Sequence, residues 1–285
     1  MPSGPTAISV IIPMLNECQR IGPCLDALAA QVGAPPFEVL VVDNGSTDAS
    51  PAIAMAHPLA PRLLSERRRG PYAARNAGIA AAAANTTLAF TDADCIPQPQ
   101  WLAAGCDALA RGADLVGGRI RQRPTGPDPS IWERFDRATY LHQDRNVRAE
   151  RFAATANLFV GPGVIDAVGP FRPELVASGD FEFGRRATDA GFRLNYCDEA
   201  AVDHEPRVTW RAIWTLHRKL GSGFAELARA GLREPPWRDR ALRTGLSAAL
   251  DDVAADGPPL RKRYVVPPYA LAMTARWVGR LTGRG

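Results

Sequence analysis

Phe90-Thr91-Asp92-Ala93-Asp94-Cys95 is the stretch from which the chain is best read. Leu88, Ala89 and Phe90 read as the end of a buried strand, and Pro97 and Pro99 bar its continuation. Two carboxylates therefore stand two residues apart where a strand stops. A core has no use for them, because an unpaired buried carboxylate is costly. A divalent cation does, since Mg²⁺ and Mn²⁺ take oxygen ligands. For so short a pattern, a polar strand-to-loop corner is the competing reading.

Upstream, Ala7-Ile-Ser-Val-Ile-Ile-Pro13 is an apolar run closed by proline, as a buried parallel strand requires. Arg20 to Gln31 carries Ile21, Leu25 and Leu28 at helical spacing, and Phe37 to Val42 is a second buried strand. That strand ends in Asp43-Asn-Gly-Ser-Thr-Asp48, where Asn-Gly predicts a tight turn and a helix follows from about Asp48. Strand and helix alternating in this way predict a doubly wound α/β sheet, whose ligands bind at the carboxyl ends of the strands.

Further along, Leu63-Leu64, Thr87–Thr91, Asp114–Ile120 and Asn157–Val160 read as strands, with helices over Pro71–Ala84, Trp101–Arg111 and Ile131–Asp144. Arg145 to Arg151 is basic and aperiodic and reads as a mobile loop. Ser178 to Ala190 is a helix, Arg193–Tyr196 and Ala200–Asp203 are short strands, and His204 ends the second. Beyond Pro206 the pattern is helical, over Val208–Arg229, Arg238–Val253 and Tyr264–Leu281.

With 285 residues, 46% hydrophobic and 22% charged, the chain has the composition of a globular protein with a sizeable core. No run of about 18 apolar residues predicts a membrane span, and Met1 to Thr6 lacks a signal-peptide pattern. Five cysteines without a Cys-x-x-Cys pair predict free thiols in a cytoplasmic setting. Residues 206–285 hold 15 Lys and Arg against 6 Asp and Glu, leaving 19 against 24 in the 205 residues before them. A basic tail thus follows a mildly acidic body, without the aromatic sheet or zinc module that would argue for nucleic acid.

Five motifs then fall in register: Ile12-Pro-Met-Leu-Asn-Glu17, Val42-Asp-Asn-Gly-Ser-Thr-Asp48, Ala74-Arg-Asn-Ala-Gly78, Phe90-Thr-Asp-Ala-Asp94 and Gly179-Asp-Phe-Glu182. Together, over residues 7–205, they resemble the family 2 glycosyltransferases of the GT-A fold. The resemblance implies a Rossmann-like mixed sheet flanked by helices, here with a C-terminal helical extension. The expected division is a catalytic domain over 1–206 (nucleotide-binding half 1–95, acceptor half 96–206) and an extension over 207–285. It also implies transfer of a sugar from a nucleotide diphospho-sugar, a UDP-sugar by default, usually with inversion.

The same resemblance implies roles residue by residue. Asp43 would contact the base and ribose and Glu17 the base, with Pro13 and Leu15 offering backbone contacts; an Asx-turn and a solvated loop are the structural alternatives for the two acids. Arg75 would meet the diphosphate. Asp92, with Ala93, would border the ribose and diphosphate, and Asp94 would ligate Mg²⁺ or Mn²⁺, with His204 a further ligand or a structural histidine. Asp180 would be the general base, or a simple helix cap. Many family members carry Glu-Asp where this chain has Gly179-Asp180, which makes Glu182 an alternative base.

Processive polysaccharide synthases carry Gln-x-x-Arg-Trp after the base and several membrane spans. Neither pattern is present, so one sugar added to a glycan or lipid-linked acceptor, in cell-surface glycan or glycolipid assembly, is the expectation. Residues 261–285 alternate apolar residues with arginines and contain Tyr264, Tyr269 and Trp277. They read either as an amphipathic helix lying at the inner face of a membrane or as a helix packed on the protein. A nucleotidyltransferase would need a glycine-rich loop where Pro13-Met-Leu-Asn-Glu17 stands. An inactive sugar-nucleotide scaffold is the other alternative, kept open by Gly179.

Overall fold

The computed structural model describes residues 8–232 and 262–282. The expected helix over Arg238–Val253 lies outside them. Ten helices and eight strands alternate through the described residues: β1 (Ile8–Met14), α1 (Ile21–Ala29), β2 (Phe37–Asp43), α2 (Ser50–Ala56), β3 (Arg62–Ser65), α3 (Pro71–Ala81), β4 (Thr87–Thr91), β5 (Cys95–Pro97) and α4 (Trp101–Ala110) come first. Then follow β6 (Leu115–Gln122), α5 (Ile131–Thr139), α6 (Gln143–Arg145), β7 (Asn157–Val160), α7 (Val164–Val168), α8 (Gly179–Asp189), β8 (Leu194–His204), α9 (Trp210–Arg229) and α10 (Lys262–Thr282).

The strands form one mixed sheet in the order β3-β2-β1-β4-β7-β6-β8-β5. β1 is parallel to β2 and β4, and β2 to β3, while β7 runs antiparallel to both β4 and β6. The apolar runs explain the centre. Val10, Ile11, Ile12 and Leu40 to Val42 are fully buried, as expected for parallel strands covered on both faces. Ile21, Cys24, Leu25 and Leu28 of α1 lie buried at i, i+3, i+4 and i+7. Gly78 lets α3 settle on β1, where a Cβ would lie 2.5 Å from Cγ2 of Ile11.

Register sets the site. Met14 pairs with Asp43, and Ile11 with Phe90, so the carboxyl ends of β1, β2 and β4 face one edge of the sheet. The expected α/β mixed sheet with a C-terminal helical element is thus the architecture found. The described residues form two compact units, drawn from Met1–Arg121, Gln143–Glu174 and Gly179–His204 in one, and from Gln122–His142, Leu175–Ser178 and Glu205–Gly285 in the other. The sheet belongs to the first. The second has its own small core, in which Phe135 of α5, Ile213 of α9 and Ala272 of α10 meet.

Three local expectations change. Arg145 to Arg151 is not a loop: a π-helical turn, Asn146–Glu150, ends at Arg151 with φ of 59°. Val147 and Glu150 are buried there, and the Gln143 side chain pins the segment to Ala154 and Asn157, contacts that a polar aperiodic sequence does not announce. The two short strands after Arg193 are one, β8. The chain also returns to strand after the Asp pair, as β5 at the sheet edge, where Pro97 is tolerated at the last position.

Candidate active site

Three loops meet at the strand edge, and side chains tie them together. Asn16, held at φ of 57°, accepts the Thr47 N–H at 2.8 Å, while its own N–H donates to Oγ of Ser46 at 2.9 Å. Oγ of Ser50 accepts the Glu17 N–H at 2.7 Å. Asp43 accepts the Ser46 N–H at 3.1 Å through Oδ1. One oxygen is thus spent on capping the turn, with the N–H three residues on rather than the two of an Asx-turn. Buried Asn44 donates to the carbonyls of Glu66 and Arg68 and accepts the Gly70 N–H, fixing the loop that leads into α3. Leu15 is exposed, Pro13 half-buried and Ala93 buried.

Around the Asp pair the acidic groups act on their neighbours. Glu17 forms an ion pair with Arg20 at 2.7 Å, yet its carboxyl is raised above the usual range. Burial is the main cause, Arg20 opposes it, and the charges of Asp94 and Asp92 add to it. The same two carboxylates, after burial, help keep the thiols of Cys24 and Cys95 protonated. These thiols lie against the pair, Cys24 Sγ 3.7 Å from the Asp92 carbonyl and Cys95 Sγ 3.9 Å from Oδ1 of Asp94. All five cysteines are free.

A buried cation meets the pair itself. Arg75, on α3 and 4% exposed, bonds Oδ1 of Asp92 through Nη2, and its buried Nε has no protein partner. On the other side, His204 Nε2 lies 3.6 Å from Oδ2 of Asp94. That is too long for a hydrogen bond, so neither atom is spent on the other. Among the described residues no three His, Cys, Asp or Glu side chains converge as a complete metal site. A carboxylate and an imidazole beside further negative charge could still hold a Mg²⁺ or Mn²⁺ ion.

Asp180 opens α8 and is partly buried. It follows Ser178, a non-glycine residue at φ of 63°, and Gly179. Its Oδ1 accepts the Phe181 N–H at 2.9 Å and the Tyr72 hydroxyl at 3.4 Å. Burial raises its carboxyl above the usual range, against the Phe181 N–H, the Arg75 charge and the Tyr72 hydroxyl. Glu182 is spoken for: it bonds Arg172 at 3.1 Å and Arg186 at 2.9 Å, which leaves Asp180 the freer carboxylate.

Tyr72 belongs to this site although no local signal in the sequence marks it, and Asn44, legible only as part of the Asn-Gly turn, holds the loop into α3. Asn157 is unmarked too. It pairs with Thr91 at the end of β4, accepts from Trp101 Nε1 at 2.8 Å and donates to the carbonyls of Arg119 and Ala200 at 2.8 Å, bracing the strands behind the Asp pair.

Comparison with known proteins bears on this arrangement. The sequence profile described as glycosyl transferase family 2 matches residues 9–172. The chain is 39% identical over 207 residues to "Glycosyltransferase AglE" of Haloferax volcanii, covering 70% of this chain and 67% of that protein. It is 27% identical over 242 residues to the "Pre-mycofactocin glycosyltransferase" of Mycobacterium tuberculosis, covering 79% of this chain but only 48% of that relative, about half its length. The fold is similar to that of the mannosyltransferase PcManGT from Pyrobaculum calidifontis in complex with GDP-Man and Mn²⁺. That similarity has a TM-score of 0.67 at 22% identity and covers 100% of this chain and 89% of the other.

Proposed function

The chain belongs to glycosyl transferase family 2 and is a glycosyltransferase with a nucleotide-sugar donor; from that premise we propose that it is inverting, non-processive and dependent on a divalent metal. The single observation that carries this reading is the strand-edge cluster, where the charges of Asp94 and Asp92 bear on Glu17 and Arg75 reaches Asp92.

In this reading residues 1–206 do the chemistry and 207–285 form an extension. Asp43 and Glu17 receive the base and ribose, with backbone contacts at Pro13 and Leu15. Asp92 and Ala93 border the ribose and diphosphate, and Arg75 adds positive charge there. Asp94 and His204 hold Mg²⁺ or Mn²⁺. Such an ion, when bound there, would supply positive charge that favours departure of a nucleoside diphosphate. Asp180 accepts the proton of the acceptor hydroxyl while that oxygen bonds the anomeric carbon. The bond from this carbon to the diphosphate oxygen breaks, and its electron pair leaves on the nucleoside diphosphate. Attack from the opposite face inverts the centre.

The acceptor we propose is a glycan or a lipid-linked glycan in cell-surface assembly, met by a cytoplasmic enzyme resting on the inner membrane face. No helix among the described residues is long and apolar enough to cross a membrane. The test is calorimetric titration of UDP, GDP and dTDP, each with and without Mn²⁺, on wild type and Asp94→Ala. Metal-dependent binding of one nucleotide, lost in the variant, is expected. Binding of none with metal present overturns the reading.

A further inference from the structure

The residue before Asp180 has no side chain, and the room one would fill belongs to Tyr72. A Cβ at Gly179 would lie 2.7, 2.8 and 2.9 Å from Cε2, Cζ and Cδ2 of the Tyr72 ring. Those distances are shorter than carbon atoms tolerate, and the ring has nowhere to go. Tyr72 is 5% exposed and packs on Phe171 with centroids 5.8 Å apart. Phe171 is held in turn by Phe90 at 5.4 Å and Phe183 at 4.6 Å.

The hydroxyl of this fixed ring reaches Oδ1 of Asp180 at 3.4 Å, and the Phe181 N–H falls on the same oxygen. Among the described residues no such bond falls on Oδ2, which is left for an acceptor. Burial, then the charge of Asp180, pushes the phenol well above its usual range, so it donates to the carboxylate and stays protonated. One turn along α3, the Arg75 guanidinium stands 5.6 Å from the centre of the same ring while bonding Asp92. Among the described residues, Tyr72 and Arg75 are the titratable and charged groups that bear on Asp180; on its own helix, Glu182 is turned to Arg172 and Arg186.

We propose that Tyr72 is a positioning residue for Asp180, its ring occupying the place of a side chain at 179 and its hydroxyl holding Oδ1 so that Oδ2 meets the acceptor. Tyr72 and Gly179 are accordingly a matched pair: a side chain at 179 displaces the ring and frees the carboxylate. This rests on Asp180 being the base, as proposed above.

The test follows the Asp180 ¹³Cγ resonance through a pH titration of the full chain, assigned with Asp180→Asn, alongside nucleoside diphosphate release from GDP-mannose and UDP-glucose with water as acceptor. In Tyr72→Phe the Asp180 pKa should rise by about half a unit or more, because a donor to the ionised form is gone. Release should fall by roughly three- to tenfold, the worth of one hydrogen bond. Gly179→Ala should shift the resonance in the same direction, and adding it to Tyr72→Phe should cost less than it does alone. An unchanged titration and unchanged release in both single variants overturn the proposal. Wild-type release by Asp180→Asn instead overturns the assignment of the base, whatever the resonance of Tyr72→Phe does.

Discussion

Nε2 of His204 lies 3.6 Å from Oδ2 of Asp94, and backbone register holds the two there. Cys95, the next residue after Asp94, pairs with His204 across β5 and β8. The short edge strand beyond the Asp pair therefore brings a residue 110 positions away beside it. If the imidazole is a ligand, His204→Ala should weaken Mn²⁺-dependent nucleotide binding by about tenfold or more, the usual scale for losing a metal-site partner. Binding without metal should be unaffected. Calorimetry decides it, and wild-type Mn²⁺ dependence in the variant would make His204 structural.

Arg75 presents a different prediction. It is buried, and Asp92 is the carboxylate it meets, so Arg75→Met leaves that acid without its partner. The side chain of Asp92 is 32% exposed, which tempers the cost. A loss of about 1–3 kcal/mol in guanidinium denaturation is expected. Nucleoside diphosphate affinity should fall with it. Arg75→Lys should restore part of the charge but not the fork, because Nη2 bonds Asp92 while Nε is a separate donor.

Asp180→Asn should separate activity from stability. Burial raises the Asp180 carboxyl above 3.8, so the folded state binds its proton more tightly than the unfolded chain. The stability it contributes is full below the unfolded value and is lost as pH rises through the folded one. The variant should thus have a higher Tm than wild type at pH 7, and a similar one near pH 3. Turnover should fall by about 10²–10⁴-fold. In wild type, activity should drop as pH falls through the raised pKa. A variant that turns over normally, or melts earlier at pH 7, contradicts this account.

How much of this was legible depended on whether the signal was local. The buried strands announced themselves as apolar runs closed by Pro13, Asp43 and Asp92, since a parallel strand covered on both faces has nowhere to put a polar side chain. The placement of Asp43, Asp92 and Asp94 at one edge followed from that. Tyr72 did not, because its contact with Asp180 spans 108 positions and depends on the missing side chain of Gly179. Glu182 could be set aside only once Arg172 and Arg186 were seen to hold it. The brace role of Asn157 and the π-helical turn were equally silent, and Asn44 showed only its turn, because their bonds to distant backbone carbonyls and amides are encoded by no local residue pattern.

The last prediction concerns α10, whose two faces are used differently. One face packs backbone to backbone on α9: Gly221 leaves no room for a Cβ against the Arg276 carbonyl, nor Gly279 against that of Arg218. Ser222 donates to the Gly279 carbonyl at 3.2 Å. Arg276 Nε donates to Nδ1 of His217 at 2.7 Å, and burial, then the charges of Arg276 and Arg207, push that histidine down to about 2, so it accepts as a neutral ring. The other face carries Trp277 and Leu281, one turn apart and 61% and 66% exposed, within the basic part of the chain. Exposed Trp and Leu suit a bilayer interface, and in a basic part of the chain an anionic one, each basic residue near the surface adding about 1 kcal/mol. The chain should co-sediment with vesicles containing phosphatidylserine, less with neutral phosphatidylcholine, and less at high salt. Trp277→Glu combined with Leu281→Glu should abolish this while preserving Tm, whereas Gly221→Leu should lower Tm by breaking the seam. Equal binding to both vesicle types, or full binding by the double variant, removes the membrane from the proposed function and leaves the α9–α10 pair as packing alone.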